Sequence, residues 1–508
     1  MFLLEGIKCF AKTDNVAVVN PNEGNLTFLQ LEERSEAFGA FLLNEYGDSR
    51  APVVLYGNKE NDILCCMVGA LKAGRPYVPI DITIPPDRIN KIVQELQPDV
   101  VVCFQPIQLE TQARVFSGAE LRADVLDAQI EKGVDKANWV KGTDQAYILF
   151  TSGTTGAPKG IPICVDNIEN FNRNVSQYYA DKEGKRMTIM NQVSYSFDAS
   201  VGPIYIGLSS GATLVTVDNN LLANPMEMFP FLNKTGPEIC DTTPSFIEYC
   251  FSTKIFSDET FPSMTRFILG GEVLTKNLCR KIKRYFPNAE IYNNYGPTET
   301  TVFVTLVHVT DSMIDAQEEI PIGAPLDNVE LRLMDGDTIV ENDGENGELI
   351  ILGDSTGRGY YNPSLEVNNR FFIDEITQKR GYHSGDLCYR RDGLYYFIGR
   401  IDTQVKIHGY RIELEDIEQN LGKLNNVVRA TVVPMSDGEQ DQYLAAFVLL
   451  EEYNKANKLK EIMTIKKQAA ALLPSYMVPR VIKIVEQYPL NTNGKVDRQA
   501  LQERYSAY

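Results

Sequence analysis

Residues 51–104 decide the fold: APVVLYG (51–57), NDILCCMVGALKAG (61–74), PYVPI (76–80), PDRINKIVQELQ (86–97) and DVVVCF (99–104). The first, third and fifth pieces are short, β-branched runs bounded by Gly or Pro, as buried strands are. The second and fourth carry apolar residues at helical spacing. Pro86 opens the second of these, where its fixed φ and missing N–H cost nothing. A β-α-β-α-β order implies parallel strands joined by right-handed crossovers, hence a doubly wound sheet. AYILFTSG (146–153), ATLVTVD (212–218) and RFILGG (266–271) continue the alternation.

The texture changes near residue 400. NVVRATVVPM (426–435), the turn SDGEQDQ (436–442) and YLAAFVLLEE (443–452) read as an antiparallel hairpin. KEIMTIKKQAAALL (460–473) reads as a helix and RVIKIVEQ (480–487) as a further strand. The expectation is an α/β protein: a large N-terminal domain over 1–401 with doubly wound sheets, and a small, mobile C-terminal α+β domain over 402–508. GRIDTQVKIHGYR (399–411) reads as the hinge between them.

The 508 residues allow about three folding units at ~100–200 residues each. No apolar run reaches the roughly 20 residues that span a bilayer. The opening MFLLEGIKCFAKTDNV lacks a leader's cleavage pattern. The net charge of −19 argues against nucleic acid, which recruits basic surfaces. Nine scattered cysteines without CxxC spacing fit a reducing cytoplasm, and Cys65 and Cys66, adjacent in an apolar run, read as small buried hydrophobes. The three histidines form no metal-ligand pattern. The chain is therefore expected to be cytoplasmic, with no nucleic-acid partner and no membrane insertion.

Directly after the strand AYILF stands Thr151-Ser152-Gly153-Thr154-Thr155-Gly156-Ala157-Pro158-Lys159-Gly160. Glycines let a backbone approach an anion, hydroxyls and N–H groups cradle phosphate oxygens, and a lysine adds charge. It is not a Walker loop, since GxxxxGK[ST] is absent. Further along come LKAGRPYVPID (71–81), NNYGPTETT (293–301), GELIILGDSTGRGYY (347–361), YHSGDL (382–387), GRIDTQVKIHGYRIELEDIE (399–418), LPSYMVP (473–479) and LNTNGKVDR (490–498). Together, in this order, these pieces resemble the acyl- and aminoacyl-adenylating superfamily: peptide-synthetase adenylation domains, acyl-CoA synthetases and luciferases.

The resemblance implies ATP and Mg²⁺ as cofactors and a ligase that forms an acyl-AMP and passes the acyl group to a thiol. It assigns the ATP site to Thr151, Ser152, Gly153, Thr154, Thr155, Gly156, Lys159, Asn294, Tyr295, Gly296, Thr298, Asp386 and Arg400, with Thr154 also catalytic. Glu299 resembles the Mg²⁺ ligand; a hard cation wants carboxylate oxygen. Tyr295 resembles the residue packed on adenine, and Asp386 the acceptor for both ribose hydroxyls. Lys495 would reach the α-phosphate and the substrate carboxylate and stabilise charge in the transition state. Asp402 resembles the hinge. YHSGDL departs from the common YRTGDL at His383 and Ser384, which is expected to alter only neighbouring contacts.

Asp198, in SYSFDAS, matches the carboxylate that binds the α-amine in amino-acid-activating members. The rest of the pocket falls on Ala199, Gly202, Asp241, Ile268, Gly270, Asn294, Val302, Phe303 and Lys495. Gly202 and Gly270 remove side-chain volume, so a deep, narrow pocket with a second carboxylate, Asp241, is expected. That combination looks suited to ornithine, lysine or a related basic amino acid, with Asp241 as a cap of the segment TTPSFIEYC the competing reading. Length and layout also resemble stand-alone D-alanine–carrier protein ligases, and an acyl-CoA synthetase is a further alternative. LPSYMVP and NTNGKVDR favour a phosphopantetheinylated carrier protein as acceptor; no LGGxS-type serine is present, so transfer is expected in trans unless the chain is a domain of a longer synthetase.

Overall fold

A computed structural model describes residues 1–129, 132–152, 158–181, 184–436, 442–453, 457–489 and 496–506. The chain forms two compact units. The first comprises Met1–Ile82, Glu95–Leu149 and Gly160–Ile401; the second comprises Thr83–Gln94, Phe150–Lys159 and Asp402–Tyr508.

The opening stretch folds as its periodicity requires. Strands Val53–Gly57, Tyr77–Asp81 and Val100–Cys103 pair in parallel, and every residue in them is buried. Continuous apolar strands of this kind belong to a parallel sheet covered on both faces. The sheet has six strands, with Arg114–Ser117 at one edge and Gln145–Thr151 and Lys159–Cys164 at the other. Helix Asn61–Lys72 is buried at every position, as a helix apolar on all sides must be. Its last residue, Lys72, is tolerated there because Glu32 and Glu36 of helix Phe28–Tyr46 each bind its Nζ at 2.8 Å. That long helix starts at a capping box, Thr27 with Gln30.

A second doubly wound sheet has nine strands. Its parallel centre runs Glu290–Tyr295, Arg266–Leu269, Ile239–Thr242, Thr188–Asn191, Thr213–Thr216 and Val16–Asn20, and its outer strands are antiparallel. Lys59, just past strand Val53–Gly57, donates to the carbonyls of Asn191 (2.7 Å) and Val217 (3.1 Å), so one buried ammonium joins the C-terminal ends of strands in the two sheets. Burial pushes that ammonium down to about 7. A third sheet, antiparallel and built from residues 329–400, had no counterpart in the sequence reading. Its main strands are Val329–Asp335, Asn346–Gly353, Arg380–Arg391 and Leu394–Arg400.

In the second unit, Val427–Ser436 and Gln442–Leu450 form the expected antiparallel pair, and Val481–Ile484 joins in parallel. Helix Lys458–Leu472 is also as expected. A smaller hairpin, Gln404–Ile407 with Tyr410–Glu413, turns on His408 (φ +52°) and Gly409 (φ +80°), the paired left-handed residues a two-residue hairpin loop needs. All nine cysteines are free; Cys65 and Cys66 are fully buried, and burial pushes both thiols well up. Among the described residues, no helix is long and apolar enough to cross a membrane.

Candidate active site

In open parallel sheets, ligands sit beyond the carboxyl ends of the strands, where loops are free of the sheet's own hydrogen bonds. The nine-stranded sheet carries Asp241, Ile268 and Asn294 towards those ends. Asp241 and Ile268 are register partners on adjacent strands, and Leu269 pairs with Asn293, immediately before Asn294. Asp198 and Ala199 lie in a short 3₁₀ turn, Asp198–Ser200, just ahead of Gly202. Asp198 is close enough to Tyr147 for its charge, after burial, to help push that phenol up.

At Gly202 and Gly270, neighbouring side chains stand where a Cβ would be. A Cβ on Gly202 would overlap the Tyr179 hydroxyl and lie 2.7 Å from Asp241 Oδ2. A Cβ on Gly270 would overlap the Asn294 carboxamide. The volume these glycines vacate is thus already filled by neighbouring side chains. Nor does Asp241 await a cation: the Tyr179 hydroxyl donates to its Oδ2, with both residues buried. Burial pushes the Asp241 carboxyl up to about 7, against the lowering effect of the Tyr179 hydrogen bond. The start of helix Pro244–Ser252 is served by Glu272, whose Oε2 accepts from Ser245 N at 3.0 Å. Phe303 packs edge-on against Phe171 at 4.8 Å between ring centroids.

The strand Glu290–Tyr295 leads into the loop that carries Glu299. Gly296 is required there: a Cβ would overlap Phe303 Cα, so only glycine lets the loop close on itself. Thr301 and Val302 both hold positive φ (+67° and +65°), a costly conformation for β-branched residues, of order 1–3 kcal/mol each. The Thr301 hydroxyl fixes it by donating to Ser355 O at 2.7 Å. Gly357 N donates to Glu299 O at 2.8 Å, so GDSTGRGYY is stitched to the loop. Glu299 is fully buried, and the Tyr360 hydroxyl donates to its Oε1 at 2.7 Å.

Asp386 sits opposite Arg400 in the antiparallel register of the third sheet. Arg400 ion-pairs with Oδ1, and the Tyr295 hydroxyl donates to Oδ2. The structure therefore brings Tyr295, Asp386 and Arg400 into one cluster. Ser384 supports it: its hydroxyl donates to Leu349 O (2.6 Å) and accepts from Asp386 N (3.0 Å). His383 Nδ1 lies 3.2 Å from Glu348 Oε2, and Glu348 Oε1 accepts from Gly385 N at 3.0 Å. The departure from YRTGDL is thus absorbed in contacts flanking Asp386.

Within the second unit, Thr151 Oγ1, at the end of strand Gln145–Thr151, is buried with no hydrogen-bond partner among the described residues. The Ser152 hydroxyl donates to Arg411 O (3.0 Å) and accepts from Glu413 N (3.1 Å); Lys159 Nζ lies 3.6 Å from Glu413 Oε1. Asp402 Oδ1 accepts from Gln404 N at 3.2 Å. Gly153, Thr154, Thr155, Gly156 and Lys495 lie outside the described residues.

A family model for AMP-binding enzymes matches residues 8–361, and one for the AMP-binding enzyme C-terminal domain matches 416–495. The chain belongs to this family. It is an acyl-adenylate-forming ligase. Among curated relatives, the D-alanine–D-alanyl carrier protein ligase of Listeria monocytogenes is 36% identical over 94% of this chain and 93% of its own length. That of Bacillus licheniformis is 34% identical over 99% of both. The Vibrio cholerae adenylation domain AlmE, solved with glycyl-adenosine-5′-phosphate, has the same fold: TM-score 0.83, 20% identity, 100% of this chain and 97% of that one.

Sequence reasoning missed Tyr179, Tyr360 and the Tyr295–Asp386 bond. Tyr179 lies in SQYYADKEGK, where no spacing or glycine marks it as part of a site.

Proposed function

We propose that this enzyme activates a small neutral amino acid, D-alanine first among them, as aminoacyl-AMP and passes it to the phosphopantetheine thiol of a carrier protein in trans. The observation that carries the reading is the filled space at Gly202, where Tyr179 and Asp241 meet. A site without room for a long side chain discriminates by exclusion, and a paired carboxylate has little to offer a substrate cation. The relatives' names support the same substrate and acceptor. That filled space weighs against the basic side chain expected from Gly202, Gly270 and Asp241.

In this reading Asp198 pairs with the substrate α-ammonium, and Tyr295, Asp386 and Arg400 hold the nucleoside. Thr151 and the loop that follows it hold phosphate oxygens. The substrate carboxylate attacks the α-phosphorus of ATP and pyrophosphate leaves; Lys495 stabilises the charge that builds up. Glu299 fits a magnesium ligand: a single buried carboxylate suffices when phosphates and water fill the other positions, and Tyr360 orients it. The bound ion would neutralise phosphate charge. The carrier thiolate then attacks the acyl carbon and AMP leaves. Rotation of residues 402–508 about Asp402 would separate the two steps.

A pyrophosphate-exchange screen over both enantiomers of the common amino acids, with ornithine and lysine included, tests the reading. D-Alanine should give the highest specificity constant and ornithine one at least a hundredfold lower. Ornithine or lysine as best substrate would overturn it.

A further inference from the structure

Tyr179 is not among the positions expected to line the pocket, yet its hydroxyl lies against two of them, Gly202 and Asp241. We infer that Tyr179 is a specificity-determining residue: its phenol forms the floor of the amino-acid pocket, limits side-chain length, and masks Asp241 from substrates that carry a terminal cation. The inference rests on the pocket assignment proposed above and adds the group that sets its depth.

The backbone that carries the ring is held on both sides of Tyr179. Arg266 Nη1 donates to the carbonyl before Tyr179, Tyr178 O at 2.6 Å, and to the one after it, Ala180 O at 3.3 Å. Arg266 is itself fixed by Glu290, with Nε 3.1 Å from Oε2. Tyr179 N donates to Ser176 O at 3.1 Å, and Tyr178 packs edge-on against Tyr292 of strand Glu290–Tyr295 at 5.1 Å. The backbone that carries the phenol is therefore tied to strands of the same sheet that supply Asp241 and Ile268. With the backbone fixed, the phenol could swing aside for a longer substrate only by breaking its hydrogen bond to Asp241.

Gly202 marks the fit from the opposite wall. Any side chain there would collide with the hydroxyl, so the glycine accommodates Tyr179 and not the substrate. The hydroxyl also explains how a buried carboxylate survives without a cation among the described residues: a donated hydrogen bond compensates part of its lost hydration. Remove the phenol, and the same carboxylate faces an opened cavity that an ammonium group on a three- or four-carbon chain could fill.

The test measures kcat/KM in pyrophosphate exchange for D-alanine, D-norvaline and D-ornithine with the full-length wild type, Tyr179→Ala, and Tyr179→Ala with Asp241→Asn. Tyr179→Ala should raise the ornithine-to-alanine ratio at least 100-fold. Adding Asp241→Asn should remove most of the ornithine gain and keep that for norvaline, which separates charge from volume. A folded Tyr179→Ala enzyme, with ATP affinity within threefold of wild type and an unchanged ratio, overturns the inference. Should that variant not fold, wild-type inhibition by aminoacyl-sulfamoyl adenosines decides the point. Affinity that falls at least 30-fold from the alanyl to the norvalyl analogue supports the floor; values within threefold overturn it. Asp198→Ala separates the two levels. If it leaves KM for D-alanine unchanged, the pocket assignment fails; if it raises that KM while the Tyr179→Ala ratio stays put, only the role of Tyr179 fails.

Discussion

Replacing Asp241 by Asn should stabilise the protein, and by an amount that grows with pH in a defined window. The Asp241 carboxyl is pushed from its ordinary 3.8 up to about 7, chiefly by burial. A carboxyl whose value is raised on folding binds its proton more tightly folded than unfolded, so stability is greatest below about 4 and falls as pH rises towards 7. Each pH unit in that window costs about 1.4 kcal/mol, for a total of about 4 kcal/mol above pH 7. Asparagine has nearly the same shape, cannot ionise, and keeps an oxygen to accept the Tyr179 hydroxyl. The variant should therefore be close to wild type in stability near pH 4, more stable by about 1.4 kcal/mol per unit up to pH 7, and level at roughly 4 kcal/mol beyond. Urea unfolding of both proteins at half-unit steps from pH 4.5 to 8.5, with intrinsic fluorescence as readout, measures the difference. An offset that does not vary with pH, or a less stable variant at pH 8, would refute the reasoning, because Asp241 would then be ionised and well solvated in the fold.

Other expectations follow from the roles assigned to single residues. Lys495→Ala should cut adenylate formation by at least a hundredfold, the ~3 kcal/mol or more that one electrostatic donor is worth, while transfer from preformed aminoacyl-AMP changes far less; single-turnover rates for the two steps check this. Asp402→Pro, which fixes φ, should impair one half-reaction at least tenfold and spare the other; normal rates for both would remove Asp402 as a hinge. Glu299→Gln should raise the magnesium concentration needed for half-maximal pyrophosphate exchange at least tenfold, with little change in melting temperature, since the Tyr360 hydrogen bond survives the substitution.

Much of the architecture is legible in local pattern. The alternation over 51–104 carries the first sheet because fully buried parallel strands must be apolar throughout, and the helices between them carry a different period. The hairpin at Val427–Leu450 and the helix Lys458–Leu472 are equally plain. The sheet over 329–400 was less visible, because half-exposed antiparallel strands mix polar and apolar residues and its turns lack a single strong signature. Among site residues, Tyr295, Asp386 and Arg400 cluster because two antiparallel strands put 386 opposite 400, a register that local sequence does not display.

By itself, the sequence determined the family and the class of reaction: a Thr/Gly-rich loop after a strand, an acid in YGPTE, an aspartate in HSGDL and a lysine after NTNG say little singly, but their order along the chain resembles the adenylate-forming enzymes. Whether the space beside Gly202 and Gly270 is open was decided only by tertiary structure. Gly202 and Gly270 announce missing volume, but whether that volume is empty depends on what comes from elsewhere in the chain. Here the Asn294 carboxamide enters from the adjoining strand, and the Tyr179 hydroxyl arrives from a segment 62 residues away from Asp241. Close packing leaves few voids in a protein interior, so a glycine facing inward more often admits a neighbouring side chain than a ligand.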